Sequence, residues 1–364
     1  MIKKFFLIAV VFLVYTCSSS SDDSPEQEKK DSFDREAVLV NIADNIIIPS
    51  LEDLSQKLVS LKVDKDAFVA TPDQTNLDAL RNSWLSAYKV WQYVEMFNIG
   101  KAEEILYSFQ MNIYPVSVDD VEANIDSGSY DLTHVNNNDA VGFPTVDYLL
   151  YGIAADDAAI LVKYEDVKYL NYLSDVINQM DSLTDEVLND WNTSYRATFI
   201  SSTSNTASSA YNKLVNDFIF YYEKGLRANK IGTPAGNFSA DPLPDRVEAF
   251  YNNEVSKTLT LEALTAAEDF FNGKAYASSS TGESYATHLK SLDNSALQAL
   301  INNQFSGARQ KINELENSFS NQINTDNTKM TQAYDALQLN VVSLKVDMLQ
   351  AFNVSVDYVD ADGD

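Results

Sequence analysis

Two apolar stripes near the C-terminus restrict the fold more than any other feature of this chain. Leu297, Ile301, Phe305, Ala308, Ile312, Leu315 and Phe319 recur at intervals of three and four, as do Met330, Tyr334, Leu337, Val341, Leu344, Met348 and Phe352. That interval puts every member on one face of a helix, whereas a half-buried strand would need strict alternation. Each face must be covered by another, so long helices packed side by side are required. Similar patterns predict helices near 210–230 and 244–272, and four helices on shortish connections make an up-and-down bundle. Beyond Phe352, the alternation of Val354, Val356 and Tyr358 with polar residues predicts a short extended strand.

The first half carries the same signal less cleanly. Ile42, Ile46, Leu54, Leu58 and Leu61 mark a helix interrupted at Pro49. Thr71-Pro72 is expected to start the next one as cap and first-turn proline, with the stripe Leu77, Leu80, Trp84, Tyr88 and Trp91. Glu95 continues that stripe, so its carboxylate is a candidate for burial. Two further helices are predicted over 165–180 and 183–200, and the Ser/Thr/Asn cluster at 201–209 is the expected domain boundary. The chain is therefore expected to be all-α, with four-helix-bundle-like domains over 35–201 and 202–364.

The N-terminus reads as a leader. Lys3 and Lys4 precede the apolar run Phe5 to Val14, which is too short to span a bilayer and stops at Cys17, the single cysteine. Residues 1–16 are expected to be a lipoprotein signal, Cys17 the lipidated residue, and 17–34 a polar tether. Loss of Lys3 and Lys4 moves the formal charge from −27 to −29, which repels nucleic acid and favours cationic partners. The acidic run after Cys17 resembles the surface-export signal of Bacteroidetes lipoproteins, which implies an outer-membrane, surface-exposed placement.

Between these regions lies Gly142-Phe143-Pro144-Thr145-Val146-Asp147-Tyr148-Leu149-Leu150-Tyr151-Gly152, read as a short capped helix. Gly142 supplies an unusual turn, Pro144 suits a first turn, Asp147 faces the positive helix start, and Gly152 is expected to end the helix in a left-handed conformation. The segment resembles the Gly-x-His-x-x-Glu signature of the imelysin-like proteins, classed as M75 peptidases and linked to bacterial iron uptake. Gly142 matches, but Pro144 stands at the His and Asp147 at the Glu. Trp84 to Gly100 is similar to the family's Trp/Glu-Phe helix, and Lys230, Gly232 and Pro234 fall in a stretch similar to its interdomain loop. The resemblance runs over nearly the whole chain after the tether. It implies a two-domain helical protein with a candidate site at the domain interface, a ligand such as iron, another divalent cation or haem, and envelope uptake proteins as partners.

Catalytic residues are scarce. No His-Glu-x-x-His, no Gly-x-Ser-x-Gly and no phosphate loop occurs, and imidazole comes only from His134 and His288. Asp131 and His134 read as a surface turn, and His288 as part of a solvated helical turn. Hard cations accept oxygen ligands, so Glu95 and Asp147 are the candidate metal ligands, provided the fold brings them together. The expected role is thus a lipid-anchored binding component in envelope iron or metal uptake. The alternatives are an M75-type peptidase with altered ligands and a scaffold or adhesion lipoprotein. Restoring His and Glu at 144 and 147 is expected to be tolerated and to recreate a metal-binding pair.

Overall fold

A computed structural model describes residues 33–357; the expected signal, Cys17 and most of the tether lie outside them. The described chain is helical, and no described helix is long and apolar enough to cross a membrane. Helix Arg35–Ile42 passes through one wide π-turn, Ala43–Ile47, into Ile48–Ala70. The interruption expected at Pro49 is that turn, and the proline sits just after it, where a missing N–H costs nothing.

Helix Gln74–Val94 starts two residues later than expected. Its cap is Asp73, whose carboxylate accepts the Asn76 N–H at 2.9 Å, a contact worth about 1 kcal/mol, and Pro72 lies outside the helix. Its indole and phenol stripe is wholly buried. The two helices expected over 165–200 are one, Val167–Asp190, continued by a π-turn to Ser201. Polar Asp181 does not break it because Lys62 on a neighbouring helix meets its buried carboxylate at 2.5 Å. Helices 48–70, 74–94 and 167–190 pack together, and short helices around Gly142–Asp147 fill their remaining side.

The second half contains the expected four-rod bundle with altered ends. Ala210–Phe220 runs on as a wide-turned helix, Tyr221–Gly232, and packs with Ser256–Asn272, Ser295–Asn313 and Phe319–Val342. Residues 244–255 are mostly turns rather than helix, and the last rod is kinked at Asp326. Residues 230–235, expected as an interdomain loop, are helical, and the chain turns only at Gly236 (φ +85°). No strand forms at 354–357. Asn216 takes the place of a strand partner, donating to the Ser355 carbonyl at 3.1 Å and accepting the Asp357 N–H at 3.3 Å. Helices 74–94 and 256–272 pack across the expected boundary, and one apolar core runs from Val38 to Val354.

Candidate functional site

Gly142 makes the central segment possible. Its φ is +74°, and a Cβ there would lie 2.2 Å from the Met111 carbonyl oxygen, so only glycine fits. Residues 142–150 are then all buried. The stripe of helix 74–94 holds them: Trp84 Nε1 donates to the Phe143 carbonyl at 3.2 Å, and Tyr88 stacks on Phe143 with centroids 4.4 Å apart. At the far end Arg81 donates to the Leu150 carbonyl at 2.7 Å, bridges to Asp157 and covers Tyr151, satisfying a carbonyl that the helix end would leave open.

Asp147 does something other than cap its own helix. Its two carboxylate oxygens accept the backbone N–H groups of Tyr251 at 2.8 Å and Asn252 at 3.0 Å, tying the segment to a turn a hundred residues away. Burial raises its pKa to about 7 against the opposing pull of those two hydrogen bonds. Gly152 is not left-handed; its missing side chain instead admits Tyr251, whose ring would lie 2.3 Å from an added Cβ. Pro144 and Asp147 line a small cleft of about 230 Å³ with Tyr114, Asp245 and Tyr251.

Glu95 belongs to a second network. At the end of helix 74–94 its side chain is 14% exposed; it accepts from Asn112 Nδ2 at 2.8 Å and Tyr221 Oη at 3.2 Å, and Lys230 Nζ lies 3.3 Å away. Lys230 is 1% exposed and also meets Glu248, itself 2% exposed, at 2.8 Å. Asn112 and Gln92 donate to the other Glu248 oxygen at 2.9 and 3.2 Å, and Tyr88 donates to Asn112 at 2.6 Å. Burial alone would lower the Lys230 pKa, but Glu248 and Glu95 outweigh it and hold it above its ordinary value. Burial, then the same carboxylates, pushes Tyr88, Tyr114 and Tyr221 far up, so all three remain protonated.

Above this network opens a cleft of about 590 Å³. Glu95, Asn112 and Tyr221 of the network line it together with the apolar Met96, Phe109 and Phe220 and the acids Asp217 and Asp357. Sequence reasoning found Glu95 and Lys230 but missed Glu248, Asn112 and Gln92. Gln92 left a signal, a polar residue between the apolar positions of the stripe; Glu248 left none, because it sits in turns without periodicity.

Asp147 and Glu95 share no hydrogen-bonding partner, so the fold does not join them in one network. A metal ion at the signature fits poorly. Pro144 has no donor atom, the buried Asp147 carboxylate already accepts an N–H group at each oxygen, and Lys230 lies against Glu95. Among the described residues, no group of three or more His, Cys, Asp or Glu could hold a metal ion. His134 lies in an exposed turn, its Nδ1 accepting the Asn136 N–H at 3.2 Å. His288 is not solvated as expected. It is fully buried, stacked between Phe33 and Phe352 and 2.6 Å from Tyr211 Oη.

These features define an all-helical protein whose ionic core backs an open cleft. The family model for imelysin, Peptidase_M75, matches residues 47–347, and the chain belongs to that family. Among solved structures, a protein described as an iron-regulated protein A precursor from Parabacteroides distasonis is similar at 19% identity and TM-score 0.74, over 88% of this chain and 95% of that one. An imelysin-like protein from Psychrobacter arcticum is similar at 16% identity and TM-score 0.69, over 89% and 97%. No curated protein matches.

Proposed function

We propose that this imelysin family member is a binding component of envelope iron or metal acquisition, anchored by lipid at Cys17, and that its metal arrives inside an organic complex. The observation that carries this reading is the donor set. No described group of acids and imidazoles suits a bare ion, whereas the 590 Å³ cleft has the size and mixed lining of a small-molecule site. A fold shared with a protein named as iron-regulated supports the metal context. Peptide hydrolysis is the weaker reading, because Pro144 cannot ligate and the Asp147 carboxylate, which accepts two N–H groups, is 1% exposed and so poorly placed to reach a substrate.

Isothermal titration of the protein with Fe²⁺, Fe³⁺, haem and a ferric trihydroxamate tests this. Saturable binding of a complexed form, weakened by Phe220→Ala, is expected. Stoichiometric uptake of the bare ions, or chelator-sensitive turnover of a denatured protein substrate, would overturn it.

A further inference from the structure

Resting on the reading of the cleft as a ligand site, we infer that its ligand presents an organic cation, an alkylammonium or guanidinium group on an apolar body. The inference is carried by three features of one cleft. The first is charge. Glu95, Asp217 and Asp357 face the cleft; Glu95 shares the single cation Lys230 with Glu248, and the one lysine of the lining, Lys224, lies 3.7 Å from Glu223. The second is an uncompensated acid. No hydrogen bond or ion pair among the described residues reaches the Asp217 carboxylate, and Lys213 acts on it against Asp357 and Glu103. Burial first, then those two acids, pushes its pKa up to about 7, so its charged form is disfavoured until a cation meets it.

The third observation is apolar. Phe109 and Phe220 stay 47% and 46% exposed on the same cleft, although most large apolar side chains here are buried. An exposed phenyl face attracts a cation through its ring quadrupole and covers the hydrocarbon attached to it. A bare metal ion has no hydrocarbon for the phenyl walls to cover and finds no three-ligand group among the described residues, while an anion would meet the acids. Only an amphipathic cation uses both halves of the lining. The volume of 590 Å³ lies within the ~300–1,000 Å³ of small-molecule sites, enough for a ligand well beyond a single amino acid.

Two matched pairs test the charge. Calorimetry compares 4-phenylbutylammonium with 4-phenylbutanol, and a ferric trihydroxamate bearing a terminal ammonium with its N-acetylated, uncharged form. The ammonium member of each pair is expected to bind at least about tenfold more tightly, and Asp217→Asn and Phe220→Ala should each remove most of that difference. Equal binding of the N-acetylated complex would overturn the cation while leaving the metal-complex reading intact. Binding of the phenylbutyl cation with no ferric complex would do the reverse. If no member of either pair binds, both readings are wrong. A preference for cations that survives both substitutions would place the site elsewhere and overturn the inference.

Discussion

Replacing Lys230 by methionine should destabilise the protein by roughly 3–5 kcal/mol, the usual cost of stripping one partner from a buried ion pair. The substitution keeps the side-chain volume and removes the charge that lies 2.8 Å from Glu248 and 3.3 Å from Glu95. Glu95 retains Asn112, Tyr221 and some solvent, but Glu248 is 2% exposed and keeps donors only at its Oε1. The cost therefore falls mainly on Glu248. With an unfolding entropy of ~2.1 cal/mol/K per residue over the folded residues 33–357, the protein should lose ~4–7 °C in Tm. Circular dichroism melts of wild type, Lys230→Met, Glu248→Gln and the double variant would measure it. The double variant should regain at least about half of the single loss, because it removes the stranded charge. A Tm for Lys230→Met within a degree of wild type, or losses that simply add, would refute the argument.

Gly142→Ala should cost several kcal/mol, on the order of the largest single-residue effects, since the Cβ meets backbone rather than a movable side chain; melts of the refolded variant check it. The Asp147 carboxyl has its folded pKa raised to about 7, so its contribution to stability is greatest below the unfolded value near 4 and is lost as pH rises through 7. The Tm of Asp147→Asn relative to wild type should therefore improve from pH 5 to pH 8, and a difference independent of pH would show the carboxyl to be unperturbed. Restoring His and Glu at 144 and 147 should not be tolerated as the sequence suggested. A longer acid cannot keep both N–H contacts to 251 and 252, so calorimetry should show a destabilised variant with no gain in Zn²⁺ affinity.

The long helices were legible because an apolar period of three to four residues reports directly on a buried face. Glu95 was legible for the same reason, as an acid on the Trp84, Tyr88 and Trp91 stripe. Helix ends and joins were not. Whether Asp181 breaks a helix depends on Lys62 meeting it from another rod, and whether 230–235 is loop or helix depends on burial around Lys230. The roles of Asp147 and Gly152 were hidden because both answer to Tyr251, far along the chain. Glu248 was invisible because a lone acid among turns carries no period.

Hydrogen–deuterium exchange with and without the ammonium-bearing ferric trihydroxamate tests most directly whether the ionic cleft, rather than the altered signature, takes the ligand. Protection is expected over 95–113 and 217–229, with the already buried 142–152 segment unchanged. Protection confined to 142–152 and 245–252, around the small Asp147 cleft, would contradict the account.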